Sequence, residues 1–482
     1  MKSSDTLLIL DLGSSSVRAL LFDGNAQLIT GGMARREHRF VTSAPGESSA
    51  DADALRLLAE ACIAEVLQHP AARDLRAMGM ATFVGNVLGV GEDGTPVTPV
   101  YTYADTRCAE DASRLRAEWD ASAIHTRTGC PLHSAYLPAR LTWLRRTQPA
   151  LEARCARFAD LGTYCLQRWS GERDAPCSPS VASWSGLLAR ATADWDASLI
   201  AALGLGDRLP RIATTPLMLD MLAQQHPALR GVPCYPALGD GAAANLGAGA
   251  YEPGIAALTI GTTAALRVID PAPLPFVPPG LWGYRLDETH HLIGGATSEG
   301  GSIHDWLRAT LHLPDVDALE AALMDAVPDA HGLTILPLLA GERSPGYALD
   351  ATGIISGLRL ATTPVEIAQA ALESVALRLA LIAERLGEMR QIMVSGGALE
   401  RSRAWAQMMA DALDRPLTML AEHELTARGA ALWLRARSGG RRWEDSPPSV
   451  REVIAPRPHG AQALRAARAR QTALYERAGF AH

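Results

Sequence analysis

With 482 residues the chain exceeds what one hydrophobic core serves, so at least two domains with a cleft between them are expected. At 48% hydrophobic and 20% charged residues, and with no apolar run near the roughly 20 residues that a membrane span requires, it reads as a globular protein that does not cross a membrane. The net charge of -7 and the absence of long Lys/Arg runs exclude nucleic acid or an anionic membrane as the main partner and leave small-molecule chemistry.

In chain order, the N-terminus has no basic region before a long apolar stretch, because Asp11 and Gly13 interrupt it, so a secretory leader is not expected. Lys2 is the only lysine, which removes P-loop, protein-kinase and Schiff-base chemistry. Residues 7–22, LLILDLGSSSVRALLF, are two apolar runs around a Gly/Ser turn and predict a β-hairpin, with Asp11 at the end of the first run and Arg18 on the return. Residues 52–68 have helical spacing. The segments 81–90 (ATFVGNVLGV), 103–107 (YADTR) and 128–133 (TGCPLH) follow, and 194–203 again looks helical. Seven scattered cysteines with no CxxC pair suggest neither disulfides nor zinc, so a reducing cytoplasm is the expected compartment.

Asp240 stands between Gly239 and Gly241 in a Gly/Ala-rich stretch, where little bulk would keep a substrate from its carboxylate. Between Asp240 and Ile255, with Pro253 and Gly254, lies the expected domain boundary and a hinge. A second hairpin, IAALTIGTTAALRVI, then repeats the first, with Gly261, Thr262 and Thr263 in the places of Gly13, Ser14 and Ser15, and Thr259 in that of Asp11. A duplicated hairpin predicts two related α/β halves facing one another, each turn offering backbone N–H groups and hydroxyls to phosphate oxygens. Asp11, acidic only in the first copy, suits Mg²⁺, and Asp240 suits a general base that accepts a hydroxyl proton during phosphoryl transfer. Residues 371–386 have helical spacing, and the amphipathic C-terminal run is expected to pack on the second half.

These motifs, with GGATSEGGSIHDWL at 294–307, LAGERSPGYALDATG at 339–353, VSGGALERSRAWAQMMADALDRPL at 394–417 and HELTARGAALW at 423–433, resemble in order an FGGY-family carbohydrate kinase over about residues 6–440. The resemblance implies an α/β fold of two actin-like (ribonuclease H-like) domains flanking a central catalytic cleft, here 1–247 for sugar and the first phosphate loop and 248–482 for nucleotide. It implies ATP and Mg²⁺ as cofactors, Asp240 as catalytic base and Asp11 as the metal-holding aspartate. Gly13, Ser14, Ser15, Ser16, Arg18, Gly261, Thr262 and Thr263 match the phosphate-binding positions. Gly301, Asp305, Gly396, Gly397 and Arg401 match positions around ribose and base. For the sugar it points to Val84, Gly85, Asn86, Asp105, Arg107, His133 and Asp240.

YADTR and TGCPLH resemble gluconokinases, so a sugar acid, gluconate first, is the expected small-molecule substrate, with Arg107, Arg140 or His133 available to meet its carboxylate. Xylulose, ribulose or another pentulose or polyol remains the alternative. Gly85 departs from the pattern, standing where many relatives carry the His of Gln-Met-His, so either Asn86 or another side chain takes over or the substrate differs from the best-known ones. Relatives of this kind are often homodimers. A non-catalytic actin-like nucleotide-binding protein is the competing class, disfavoured by the intact Asp11, Asp240 and both turns.

Overall fold

The computed structural model describes residues 5–348 and 350–480; Lys2 lies outside them. Strand Thr6–Leu12 is buried on both faces, as a central strand requires. It pairs antiparallel with Ser16–Asp23 and parallel with Leu75–Thr82. The sheet continues outward through Leu28–Glu37 on one side and through Pro233–Cys234 and Leu217–Met218 on the other.

The second sheet is built the same way. Ile255–Ile260 pairs antiparallel with Ala264–Asp270 and parallel with Gln391–Ser395. Beyond them lie His291–Thr297 and Trp282–Arg285 on one side, Leu417–Leu420 and Val450–Ile454 on the other. The duplication read from two hairpins therefore extends to the order and sense of whole sheets.

Helix Ala52–Val66 forms where helical spacing predicted it, its first turn closed by Asp51 accepting from Ala54 N at 2.8 Å. The helix expected at 371–386 begins seven residues earlier, at Pro364. Thr363 and Glu366 form a capping box with Pro364 at the first helical position, a start signal legible in the letters but not used. The expected helix at 194–203 is a correction: Asp194–Trp195 is a short strand, and Asp196 then caps a helix only over Ala197–Ala202. The C-terminal helix Pro458–Arg477 packs against the long helix Pro364–Leu386 and the helix Arg403–Leu413 of the second half.

The Gly/Ala-rich stretch after Asp240 is not a loose connection. Residues Asp240–Gly247 are a helix in backbone contact with helix Leu425–Arg437, which itself packs under the first sheet through Leu434. A Cβ on Gly247 would sit 1.9 Å from Leu425 O, and one on Gly429 would sit 1.7 Å from Ala243 O. One hydrophobic cluster accordingly joins Leu7, Ile9 and Leu20 of the first sheet to Ala242, Leu246, Ala430 and Leu432. Packing thus crosses the expected boundary between 247 and 248.

Alanine favours a helix interior over glycine by about 1 kcal/mol. Gly429→Ala should nevertheless destabilise the protein, by about 1–3 kcal/mol or more, because the atoms it meets are backbone and cannot turn aside. Denaturant unfolding reads this directly, and an unchanged or raised midpoint contradicts so tight a crossing.

Candidate active site

The two turns meet at one cavity. Ser15 from the first turn and Gly261 and Thr262 from the second line a cleft of about 870 Å³, together with Gly301, Asp305, Gly397 and Arg401. Gly396, at φ 106°, lies just outside, and a Cβ there would meet Ile260 O at 2.2 Å. The turns are closed internally, Gly13 N donating to Ser16 O and Gly261 N to Thr263 O, each at 3.0 Å. Gly300 and Gly301 N–H groups brace the second turn by donating to Thr262 O and Gly261 O.

A smaller cavity of about 210 Å³ lies on the other side of that turn. Thr263 and Thr259 line it, with Asp240, Gly241 and Ala244 from the interdomain helix and Thr426 from its partner. Val84, Gly85, Tyr103, Trp184, Tyr136, Trp282 and Tyr284 complete an aromatic wall in which Trp184, Tyr284 and Trp282 stack at 3.8 and 4.4 Å. Two arginines, Arg267 and Arg343, also face this space. A large cleft sized for a nucleotide thus adjoins a small one sized for a polyol.

Asp240 is the first residue of its helix, and its Oδ1 accepts the Gly241 N–H at 2.7 Å. It opens on the cavity yet is ringed by protein, and burial pushes its carboxyl up to about 6 against the opposing pull of the Gly241 amide and Arg267. Burial likewise raises Asp11 to about 6, with Arg18 pulling down and Asp240 and Glu424 pushing up. Arg18 contacts Asp11 Oδ2 at 2.6 Å and reaches Glu424 with its other terminal nitrogen, so the phosphate-loop candidate is held by two carboxylates. Asp11 Oδ2 nevertheless makes no aligned hydrogen bond, and a buried carboxylate oxygen with unused acceptor capacity is what a hard cation takes.

The remaining sugar candidates are not brought into this cavity. Asp105 is buried, accepts the Ser48 N–H at 3.3 Å and is bonded by Arg107 at 2.6 Å; Arg107 lies over Trp143 at 4.8 Å and 3.6 Å from Glu47. The expectation that Arg107 meets a substrate carboxylate is therefore corrected: its guanidinium is already neutralised within the protein. Asn86 is spent on the Phe83 carbonyl and the Leu161 N–H. Arg140 donates to Gly85 O and Ser134 O, holding the loop rather than a ligand. His133 packs on Tyr347, and burial with Arg116 and Arg343 nearby pushes it down to about 3, so it is neutral and attracts no anion by charge.

Arg267 and Arg343 were missed by sequence reasoning. Arg267 had a signal, as one cation within the apolar run AALRVI. Buried to 7% exposure, it is lowered to about 10 by burial, its Nε has no partner, and its Nη1 is 3.4 Å from Thr259 Oγ1. Arg343 forms no ion pair or hydrogen bond through its guanidinium among the described residues. A second group of potential metal ligands, Asp329, His331 and Glu373, is satisfied internally. Leu333 N donates to His331 Nδ1, which leaves the proton on Nε2 for Glu373.

The family models "FGGY family of carbohydrate kinases, N-terminal domain" and "C-terminal domain" match residues 6–247 and 256–434. Among curated proteins, the chain is 25% identical over 450 residues to a gluconokinase of Bacillus subtilis, covering 88% of this chain and 86% of that one. It is 30% identical over 474 residues to a glycerol kinase of Gloeobacter violaceus, covering 94% and 91%. A xylulose kinase structure from Rhodospirillum rubrum superimposes with a TM-score of 0.85 at 26% identity, covering 98% of each chain. A gluconate kinase structure from Lactobacillus acidophilus does so at 0.88 and 22%, again over 98% of each, and shares the fold.

Gly85 lies at φ 67°, and a Cβ would meet Tyr103 Cβ at 3.1 Å and Ala135 O at 3.3 Å. Gly85→His should therefore cost about 1–3 kcal/mol in a backbone region that side chains avoid. Urea unfolding checks it, and a variant as stable as the parent would show that the loop accepts a side chain.

Proposed function

The chain belongs to the FGGY family of carbohydrate kinases, and on that footing we propose that it transfers the γ-phosphate of ATP to a hydroxyl of a small sugar acid, gluconate being favoured. The observation that carries this reading is the small cavity itself. It holds one carboxylate, Asp240, and two arginines that no protein carboxylate pairs, beside the turn shared with the larger cleft. Arg267 is buried and Arg343 half-buried, and an anionic ligand relieves the cost of leaving such cations without a partner.

In this reading the larger cleft takes the nucleotide, with its phosphates toward Ser15, Gly261 and Thr262. Asp11 is the residue that would hold Mg²⁺, which would neutralise charge on the phosphate oxygens. Asp240 accepts the proton of the substrate hydroxyl as that oxygen bonds to phosphorus and the bond to ADP breaks. The aromatic wall of Trp184, Tyr284 and Trp282 excludes water and offers flat faces to the carbon chain. Arg343 takes the carboxylate, and Arg267 sits beside Asp240 and favours its ionised form. The assembly expected from relatives is a homodimer, and the expected compartment is the cytoplasm.

A neutral pentulose, as for a xylulokinase, is the second reading. The aromatic share of the wall and the side-chain-free Gly85 favour it, since neither asks for charge.

Asp240→Asn should keep the fold and nucleotide binding and lower turnover by roughly 10²–10⁴. A base must be ionised, so with Asp240 raised to about 6 the wild-type rate should fall as pH drops through that value. Turnover within threefold of wild type, or a rate flat down to pH 5, rules Asp240 out as the base. Arg343→Ala should weaken gluconate binding by about 2–5 kcal/mol, the scale of losing one partner of a buried charge pair, and leave the KM for ATP nearly unchanged. If a neutral pentulose has the higher kcat/KM with the wild-type enzyme, the acid reading fails and the carbohydrate-kinase assignment stands.

A further inference from the structure

Arg343 belongs to an irregular segment, so something must hold its guanidinium toward the cavity. Its neighbour Glu342 is 4% exposed and does not line that cavity. One carboxylate there gathers four donors. Oε1 accepts from Gly346 N at 3.3 Å and from Arg378 of the long helix. Oε2 accepts from Ala348 N at 3.1 Å and from the Tyr475 hydroxyl at 2.6 Å. The segment's flanks are pinned as well, Ala340 N on Glu299 Oε1 at 2.7 Å and Ser344 N on Ala296 O at 2.9 Å. Fixing Glu342 inward turns the adjacent Arg343 outward.

Tyr475 lies on the C-terminal helix, beyond the residues 256–434 matched by the family model. Its ring lies 4.9 Å from the Arg378 guanidinium and packs edge-on against Phe480. The approach is close enough to need Gly346, where a Cβ would stand 2.0 Å from the Tyr475 hydroxyl oxygen. Burial and the neighbouring Glu342 raise the phenol, so it stays a donor throughout the working pH range.

We propose that Tyr475 is a positioning residue for substrate selection: through Glu342 and with Arg378, the C-terminal helix holds the segment that carries Arg343 into the acceptor cavity. This rests on the reading of Arg343 as the carboxylate partner. The helix is then part of the substrate-selecting machinery, although it touches no ligand.

A double-mutant cycle tests it, with gluconate and ATP as the varied substrates and the thermal midpoint as a control. Tyr475→Phe keeps the ring over Arg378 and removes only the hydroxyl. It should raise the KM for gluconate about fivefold or more, within what one hydrogen bond to a charged group commands, and leave the KM for ATP within about twofold. In the Arg343→Ala background the same change should add nothing, as coupled residues do. Gly346→Ala, which pushes the hydroxyl from Glu342, should give the same split. A lowered midpoint with both KM values unchanged overturns the proposal and leaves the helix a purely structural support, and so does an equal rise in gluconate KM with Arg343 absent. If Arg343→Ala itself leaves the gluconate KM unmoved, the acid reading fails on its own account.

Discussion

Everything in this molecule hangs on a place where two helices meet with no side chains between them. Gly247 against Leu425 and Gly429 against Ala243 bring the helices Asp240–Gly247 and Leu425–Arg437 to backbone contact. From that crossing Asp240 and Thr426 both reach the small cavity, and Glu424, just ahead of the second helix, reaches Arg18 beside Asp11. A wider separation would move the carboxylate at one helix start relative to the ion pair at the other. Two sheets of like order can thus share a single centre, because the elements joining them cannot slide apart without opening a void.

The centre is electrostatically expensive. Asp11 and Asp240 are each raised to about 6 by burial, and Arg267 is drawn down to about 10. Burial disfavours the charged form of each, and an opposite charge beside it restores that form, as Arg18 does for Asp11. The larger cleft is lined by Ser15, Gly261 and Thr262 of the two turns, while the smaller has cations in excess of carboxylates. The Asp329, His331 and Glu373 cluster shows the contrast: Glu373 meets His331 and the Asp329 N–H, and the Asp329 carboxylate meets Arg470.

Both hairpins were legible because their strands are largely apolar and their turns carry Gly with Ser or Thr. The parallel neighbours Leu75–Thr82 and Gln391–Ser395 were not, since pairing across about seventy and about one hundred and thirty-six residues leaves no local trace. The Asp/Arg pair of YADTR was visible as a motif, but nothing in the letters says that Asp105 would take up the charge of Arg107 two residues on. Arg343 was hidden differently. Its direction depends on Glu342 being held by Tyr475, more than a hundred residues later. Sequence names the chemical groups, whereas long-range burial decides which of them are left over for a ligand.

Gly85 shows how closely one loop of the site is tied to its surroundings. Gly85 lies at φ 67°, and a Cβ there would press on Tyr103 and Ala135. Arg140 then holds the loop through the Gly85 carbonyl at 2.8 Å. A side chain introduced there alone would meet a backbone that does not admit it, so a tolerated change at this position needs accompanying changes in the supports of the loop. The position thus behaves as one part of a small packed unit, in which residue 85 can change only together with Tyr103, Ala135 and Arg140.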